Sequence, residues 1–422
     1  MLTSKAVPPD QGGPPHLILF MPNIRTLTLM LAGLAMLGPF AIDTYLPAFE
    51  RIATDFGVED HMMQHTLSVY LMSFACMSLF WGTLSDSFGR RPVIIASLLL
   101  FAIGSIGSML APSYGWLLFF RGLQGCSAGA GRVVGQALAR DRYQGPEAQR
   151  LFANIAMVFS LAPAIAPIVG GYLSTYVGWR AIFAMLSVFT LVLIVASWKT
   201  LPETLSASAR QPMRLGAILR NYWRAVRNVQ FLLAILGVGF AFSGFGLYIA
   251  SAAKFVMDIL KLPETAFGWL FLPFIGGMVS GSLISSRSAA RMDPARLISI
   301  GLSTMAAGAF LNVGYNLFFV AAVPWAVVPI FIYGLGMSIA LPGMTVITLN
   351  TFPSMRGLAS SLQSTVQMLI FSLVSGFVAP LLYDSALLLA VGTVGSAVFC
   401  SGFWAASRRM AAMNKRGGPL RE

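Results

Sequence analysis

The chain has 422 residues, of which 57% are hydrophobic and only 10% are charged. Soluble domains carry about 25% charged residues, so this composition predicts a membrane protein and leaves no room for a soluble catalytic domain. The net charge of +13 does not indicate a nucleic-acid partner, because the basic residues cluster at the ends of apolar segments, where anionic lipid attracts them.

Apolar runs recur along the chain with the length that a helix needs to cross a bilayer, about 20 residues. Alternating strand patterns are absent, which predicts an all-α membrane protein with twelve transmembrane helices. Only one connection is long, residues 201–229, and it divides the spans six and six. The predicted spans are 26–49, 61–84, 92–112, 115–139, 150–174, 180–200, 230–253, 265–286, 295–316, 322–349, 357–382 and 385–407.

The basic residues predict the orientation of these spans. If the N-terminus is cytoplasmic, 22 of the 28 Lys and Arg residues lie on the inner side. The outer loops then hold only Arg51, Arg180, Lys254 and Lys261, and this asymmetry predicts that both termini are cytoplasmic. The predicted divisions are an N-terminal arm (1–25) in which Met21 is an alternative start, a bundle (26–200), a basic linker (201–229), a second bundle (230–408) and a tail (409–422).

The first span ends in GPFAIDTYLPAF, residues 38–49, and contains the one acid placed well inside a predicted span, Asp43. A carboxylate at that depth costs about 2.5–3.5 kcal/mol on insertion scales. Arg121 lies at a similar depth in the fourth span, so the two groups can meet. Apolar surroundings favour the protonated acid and a nearby arginine favours the ionised one. We therefore expect Asp43 to gain and lose a proton; a static ion pair with Arg121 is the alternative.

The loop after the second span reads GTLSDSFGRRP, residues 82–92, and places Asp86 and Arg90 four residues apart, where they can pair. It resembles the Gly-x-Leu-x-Asp-x-x-Gly-Arg-Arg signature of the major facilitator superfamily, with Ser87 where a basic residue is usual. The resemblance implies two pseudo-symmetric six-helix bundles and a cytoplasmic latch of Asp86, Arg90 and Asp141 between them. The alternative is a loop that only orients the spans.

The fourth and fifth spans add to this resemblance. The Arg-x-x-Gln-Gly beginning at Arg121 resembles the family's second motif, and the resemblance implies that Arg121 is coupled to the acid of the first span. The fifth span reads SLAPAIAPIVGGYL, residues 160–173, and resembles the antiporter motif, although alanines stand where glycine is common. Its motif residues are Pro163, Pro167, Gly170 and Gly171. Simple kinking of the helix by the prolines is the alternative.

The linker and the two halves carry weaker patterns. Gly-Thr-Leu at 82–84 and Gly-Ser-Leu at 281–283 follow the second and eighth spans, an internal repeat that favours a site between two bundles. The linker places basic residues at spacings of 3, 4 and 6, which fits either an amphipathic helix on the inner membrane surface or a solvated segment. These residues are Arg210, Arg214, Arg220, Arg224 and Arg227.

Several side chains fall in spans that the family places around its central cavity. Aromatic walls with a few polar groups suit bulky amphipathic ligands, although packing explains each residue as well. Arg132 either lines an inward vestibule or extends to the inner surface. The predicted substrate contacts are Tyr45, Tyr70, Phe74, Arg132, Phe242, Phe245, Tyr248, Phe274, Tyr333, Gln363 and Gln367.

The resemblance covers nearly the whole chain and is greatest to bacterial exporters of bicyclomycin and chloramphenicol type. It implies a monomer in the inner membrane that exports amphipathic drugs in exchange for protons, with protons as the coupling ion and no cofactor, metal or nucleic acid. A proton-coupled exporter of a small polar metabolite is the nearest alternative, and a channel or sensor is a remote one. The sequence contains no G-x-x-x-x-G-K-[ST] or H-E-x-x-H, and its G-x-S-x-G match, GCSAG at residues 125–129, lies inside the predicted fourth span, so we predict neither an ATP-driven pump nor an enzyme.

Overall fold

The computed structural model describes residues 24–143, 145–206, 208, 210, 215–288, 291–352 and 355–416. Most of the predicted N-terminal arm, Met21, Arg214 and the end of the predicted tail lie outside the described residues. The described residues form sixteen α-helices and no β-strand.

The helices follow the predicted spans closely. They are α1 Ile24–Asp43, α2 Phe49–Phe56, α3 Asp60–Phe88, α4 Arg90–Met109, α5 Tyr114–Ala128, α6 Ala130–Arg142, α7 Gly145–Tyr176, α8 Arg180–Thr200, α9 Leu215–Arg227, α10 Val229–Ala250, α11 Gly268–Ser288, α12 Pro294–Phe318, α13 Val328–Leu349, α14 Arg356–Leu373, α15 Ala379–Leu382 and α16 Ala386–Arg416.

Ten helical segments among the described residues are long and apolar enough to cross a membrane. The two other predicted spans correspond to α5 with α6 and to α7. Large apolar side chains such as Val192, Trp198 and Phe310 are exposed on the outside of the bundle, where a soluble protein carries mostly polar groups. The chain is therefore a multi-pass membrane protein.

Three predicted spans are interrupted rather than continuous. The first divides into α1, a 3₁₀ turn at Leu46–Ala48 and α2. The fourth divides at Gly129 into α5 and α6, and the eleventh passes through a π-helical segment, Val374–Val378, between α14 and α15. Pro380 follows that segment and cannot donate a backbone hydrogen bond, which explains the local change of helix type.

The helices pack as two bundles of six spans. Helices α1 to α8 pack among themselves, as do α10 to α16, and the main contacts between the halves are α3 with α14 and α7 with α11. These are the second span with the eleventh and the fifth with the eighth. The second and eighth spans hold equivalent positions in the two halves, as do the fifth and eleventh. The two inter-half contacts are therefore related by the pseudo-two-fold axis, and a site between the halves lies close to that axis.

Candidate functional site

A cavity of about 1000 Å³ lies between the two halves. Helices α3 and α6 of the first half, α14 of the second half and the linker helix α9 line it. It extends from Phe74 and Gln367 to Asp86, Asp141 and Met355, which lie on the face of the bundle where residues 201–205 cross. We call this face the linker face. The volume of the cavity is large enough for a drug-sized molecule.

Beyond the cavity the halves are joined. The hydroxyl of Ser68 donates to the carbonyl of Ser372 (2.6 Å), and the hydroxyl of Ser372 donates to the carbonyl of Ser68 (2.9 Å). The side-chain amide of Gln64 donates to the carbonyl of Ala250 (2.8 Å). These bonds tie α3 to the second half, so the cavity is closed on this side.

Two ion pairs join the halves still further from the linker face. Arg51 lies 2.6 Å from Glu264, and Lys254 lies 2.7 Å from Asp60. We call the face that carries these pairs the distal face. Its contacts hold the halves together there, while the same halves separate around the cavity at the linker face.

Asp43 is the last residue of α1, and Pro47 explains why the helix ends there. In a continuous helix, the backbone carbonyl of Asp43 would accept a hydrogen bond from residue 47, but proline has no N–H to donate. The N–H of Tyr45 bonds to the carbonyl of Ile42 (3.3 Å) instead of that of Ala41. The carbonyl of Ala41 is thereby released from the helix, beside a buried acid.

Arg121 occupies the released position. Its guanidinium donates to the carbonyl of Ala41 (3.1 Å) and to the side-chain oxygen of Gln124. Its Cζ lies 4.6 Å from the ring centre of Tyr45 and 4.4 Å from that of Tyr70, so the cation is held between two aromatic faces. Arg121 is fully buried, and these contacts replace part of the water that it loses; within the described structure its Nε and Nη2 groups form no hydrogen bond.

The predicted direct contact between Asp43 and Arg121 is not formed. The ion pairs in the part of the chain that the structure describes do not include one between these residues. The two residues nevertheless lie at a similar depth, as predicted, because Arg121 bonds to the carbonyl of Ala41, two residues before Asp43. Both are also close enough to the Tyr70 phenol to interact with it electrostatically. The physical reason for the separation is that aromatic faces and a free carbonyl bind the guanidinium without a carboxylate.

Asp43 lies outside the cavity. Gly38 of α1 is level with the cavity's closed end, because a Cβ on Gly38 would lie 3.7 Å from the Phe74 ring. Asp43 follows five residues later, about 7 Å nearer the distal face at 1.5 Å per residue. It is 3% exposed and does not line the cavity. The acid and the cavity are therefore neighbouring layers along α1 rather than parts of one pocket.

The predicted antiporter-motif helix, α7, connects this layer to the second half. It contains Pro163 and Pro167, and Gly170 meets α1 one residue after the acid: a Cβ there would lie 2.0 Å from the carbonyl oxygen of Thr44. Gly171 meets the other half, since its Cβ would lie 2.2 Å from the carbonyl oxygen of Glu264. Only glycine permits both close approaches. Thr175, one turn further, also donates to the Glu264 carboxylate (3.2 Å).

The predicted pair of Asp86 and Arg90 is confirmed, and Asp141 completes the cluster. Arg90 donates to Asp86 through Nη1 and to Asp141 through Nε (3.0 Å). All three residues belong to the first half, however, so the cluster does not join the two bundles in this conformation. The opening of the cavity at the linker face accounts for this, because it separates the cluster from the second half.

Glu203 in the linker is a member of this cluster that the motif analysis left out. Its carboxylate accepts the backbone N–H groups of Arg90 (3.0 Å) and Arg91 (3.3 Å), the first residues of α4. An acid at a helix N-terminus satisfies free donors and the helix dipole. Gly89 permits this contact: its φ is +102°, and a Cβ there would lie 2.5 Å from Glu203 Oε2. The acid in LPETL, together with the helix start after Gly89, was the available signal.

Only part of the predicted substrate set faces the cavity. Phe74, Arg132 and Gln367 line it, and the side chain of Arg132 is exposed there, which answers the question that its sequence left open. Tyr45 and Tyr70 instead enclose Arg121. Gln363 does not line the cavity and donates to Thr345 (3.3 Å).

The remaining aromatic candidates pack inside the second half. Phe245 stacks on Phe274 with ring centres 3.7 Å apart, and Phe242 packs against Phe245. Tyr248 accepts a hydrogen bond from Asn312 (2.7 Å), and Tyr333 donates to the carbonyl of Ala241 (3.2 Å). The expectation of an aromatic wall was therefore wrong for these residues, because stacking and buried hydrogen bonds within the bundle satisfy them.

Hydroxyl and amide groups instead occur on ten of the 24 residues that line the cavity. In α14 they follow the sequence SSLQSTVQM, where polar residues recur at helical spacing within an apolar span, and this stripe was a signal that the sequence analysis did not use. The polar uncharged residues of the lining are Ser78, Thr83, Ser87, Gln136, Asn221, Tyr222, Ser360, Ser361, Ser364 and Gln367.

The linker forms a helix, α9, as one of the two interpretations predicted. Ala225 of α9 packs with Phe231 and Leu362 of the second half. Tyr222 reaches across the cavity and donates to the carbonyl of Leu79 in the first half (2.9 Å). The helix therefore lies across the linker-face opening and contacts both halves.

Comparison with known proteins places these features in a family. The Major Facilitator Superfamily model matches residues 31–375. A bicyclomycin resistance protein homolog from Haemophilus influenzae is 30% identical over 358 residues, covering 85% of this chain and 90% of that protein. The multidrug transporter MdfA of Edwardsiella ictaluri is 26% identical over 331 residues, covering 78% of this chain and 80% of that protein.

Solved structures share the fold at low sequence identity. The D-xylose-proton symporter superposes with a TM-score of 0.70 at 16% identity, covering 90% of this chain and 98% of that one. The human organic anion transporter MFSD10 superposes with a TM-score of 0.66, also at 16% identity, covering 92% of this chain and 100% of that one.

Proposed function

Because this chain belongs to the Major Facilitator Superfamily, we propose that it exports drug-like or toxic small molecules across the bacterial inner membrane in exchange for protons, by alternating access. The linker face is cytoplasmic in this proposal, since the linker and the ends of the helices there carry most of the basic residues. A monomer suffices, because the two halves of one chain enclose the cavity.

The observation that carries the proposal is the asymmetry of the cavity. It reaches the linker face between the halves, and serine, glutamine and ion-pair contacts join the same halves towards the distal face. A carrier needs this arrangement, with one side accessible and the other closed. Rocking the halves about the closed layer would expose the cavity at the distal face instead.

Asp43 is proposed to carry the proton. It is buried at the end of α1, one layer beyond the cavity, where an ionised acid is costly without a partner. Proton release would leave a carboxylate that attracts Arg121 away from the carbonyl of Ala41, which is its present partner. Protonation of Asp43 thereby changes the contacts at the break in α1. Proton and substrate are coupled through movement of this helix and do not compete for one pocket.

The route from Asp43 to the interface is short. Thr44 follows the acid and contacts Gly170 of α7, and Gly171 contacts Glu264 of the second half. Glu264 also binds Arg51, which follows α1 in the chain. A shift of the α1 break therefore acts directly on contacts that close the distal face. The proton therefore binds one conformation of the transporter more tightly than the other, as coupling requires.

The test uses purified protein in proteoliposomes with a pH-sensitive dye inside. Asp43→Asn removes the titratable group with little change of shape. We expect substrate-dependent proton movement to be lost, while substrate binding to purified Asp43→Asn stays within about threefold of the original protein, because Asp43 does not line the cavity. Asp384→Asn is the control, since Asp384 is exposed.

Two outcomes would contradict the proposal. Proton-coupled transport that survives in Asp43→Asn with unchanged pH dependence would remove Asp43 from the coupling site. Substrate flux accompanied by electrical conductance, without saturation or proton exchange, would indicate a channel.

A second candidate function, export of a small polar metabolite, gains from the lining of the cavity. Apart from Phe74, the aromatic side chains that argued against it do not line the cavity, and ten of the lining residues carry hydroxyl or amide groups. Competition for binding between sugars, amino acids and the antibiotics that a susceptibility panel identifies would distinguish the two functions.

A further inference from the structure

The charges along the cavity differ between its mouth and its closed end. The two carboxylates of the described lining, Asp86 and Asp141, both bind Arg90 at the linker face. Arg132 lies on the same helix as Asp141 and nine residues earlier, about 13 Å deeper at 1.5 Å per residue. Among the described lining residues, it is the one charged group near the closed end.

The structure offers a lipophilic cation few of the partners that it needs there. Such a ligand is held by a carboxylate or by aromatic faces. The aromatic residues among the described lining are Phe74 and Tyr222, and Tyr222 lies at the mouth on α9. Tyr45 and Tyr70, which sandwich a buried cation, are already occupied by Arg121, and Asp43 lies beyond the cavity.

The closed end instead presents hydrogen-bonding groups around the guanidinium. Gln136 lies one turn after Arg132 on α6, and Ser364 and Gln367 lie on α14. Hydroxyl and amide groups donate to anionic or neutral oxygens and accept from hydroxyls, and an arginine binds carboxylate or phosphate oxygens through paired N–H groups.

We propose, building on the transport function above, that the substrates of this cavity are rich in hydrogen-bonding groups and neutral or anionic, and that Arg132 selects them against lipophilic cations. An anionic group of the substrate lies against Arg132, and its hydroxyl or carbonyl groups bond to the α6 and α14 side chains. A cation at the same position meets a like charge, which disfavours binding.

Two xanthene dyes of similar size test the charge rule: fluorescein, which is anionic at pH 8, and rhodamine 123, which is cationic. Equilibrium binding to the purified full-length chain in a neutral detergent is measured by fluorescence polarisation. We expect fluorescein to bind at least about tenfold more tightly, the scale of one charge-assisted contact. Added salt should weaken fluorescein binding to the original protein, because it screens the charge of Arg132.

Three variants assign the preference to Arg132. Arg132→Gln should reduce fluorescein affinity about tenfold and remove the preference, while Arg132→Lys should retain most of it. Arg142→Gln is the matched control, because Arg142 lies on the same helix outside the cavity lining, and it should leave both affinities unchanged.

Equal or tighter binding of rhodamine 123 by the original protein would overturn the proposal, and so would binding of neither dye. A preference for fluorescein that Arg132→Gln leaves intact would also overturn it. The binding measurement needs neither a membrane nor a pH gradient, so it tests charge selection separately from proton-driven export. Either proposal can be refuted while the other is supported.

Discussion

Arg121 donates a hydrogen bond to the backbone carbonyl of Ala41, 3.1 Å away, across the interface of the first and fourth spans. This carbonyl is available only because α1 ends at Asp43. The contact therefore links a buried cation to a helix break rather than to the nearby acid. The predictions below concern this break, the cation, the helix packed against it and the closed face beyond it.

Pro47→Ala should repair the helix break. Alanine supplies the N–H that the carbonyl of Asp43 lacks, which favours a continuous helix and removes the Ala41 carbonyl from Arg121. We expect the unfolding temperature to be maintained and proton-coupled transport to fall at least about tenfold, or about 1.4 kcal/mol in coupling. Differential scanning fluorimetry and the proteoliposome assay measure the two effects.

Pro39→Ala is the control for this change, because Pro39 lies within α1 and four residues before the break. Alanine at position 39 adds a backbone N–H to a part of α1 that is already helical, so it does not repair a break. Loss of transport in Pro39→Ala but not in Pro47→Ala would refute the role of the break.

Arg121→Lys should be nearly as damaging as Arg121→Gln. A lysine ammonium cannot contact two aromatic faces, Ala41 and Gln124 at once as the planar guanidinium does. Lost cation–π contacts and a charged hydrogen bond amount to about 3 kcal/mol. The free energy of unfolding in detergent should fall by that order, while the control Arg142→Lys should change it by less than about 0.5 kcal/mol. A fully stable Arg121→Lys protein would show that charge alone suffices.

Gly170→Ala should separate α7 from α1. The new Cβ would lie 2.0 Å from the carbonyl oxygen of Thr44, and backbone cannot yield as a flexible side chain does. Overpacking of this kind costs about 1–3 kcal/mol, measurable as a lower unfolding temperature together with lost transport. Gly115→Ala is the matched control, since nothing lies within 4 Å of its Cβ position. Equal stability of the two variants would contradict the observed packing.

Glu264→Gln should favour opening of the distal face. It removes the ion pair with Arg51, which joins the halves at an exposed position, so the effect is about 0.2–1 kcal/mol and the conformational ratio shifts about 1.4- to 5-fold. A cysteine placed at Ser364 in the cavity should react faster with a maleimide that reaches it from the distal face only. Asp384→Asn should leave the labelling rate unchanged, and a slower rate in Glu264→Gln would reverse the assignment.

The second ion pair of the distal face should not respond to physiological pH. Partial burial alone would lower the pKa of Lys254, but hydrogen bonds and charges from Asp60 and Asp258 outweigh it and raise the pKa above its usual value. A lysine with a raised pKa stays charged until the pH exceeds that value, well beyond about 10. The contribution of this cation is therefore constant between about pH 5 and 9. The labelling rate of the Ser364→Cys protein with Lys254→Gln, divided by the rate without it, should therefore be constant in this range, and a ratio that changes with pH would contradict this.

The sequence determined the architecture because hydrophobic length, charge asymmetry and loop spacing are local properties. Twelve apolar runs, the pairing of Asp86 with Arg90 and the isolation of Asp43 in an apolar span could all be read from neighbouring residues. The helix break was also within reach, since Pro47 stands four residues after Asp43 and cannot donate the missing bond. The polar stripe of α14 was present in the same way.

Tertiary structure decided which of these residues meet. Whether Arg121 binds a carboxylate or a carbonyl between two rings depends on helix rotation and on partners that lie up to 80 positions away in the chain, and spacing along one helix does not specify either. The same reason separates the aromatic candidates: Phe245 and Phe274 stack inside one half, while serines and glutamines of α14 face the cavity. Composition sets how much of each side-chain type is available, but only the packing of helices against each other selects the face that each one presents.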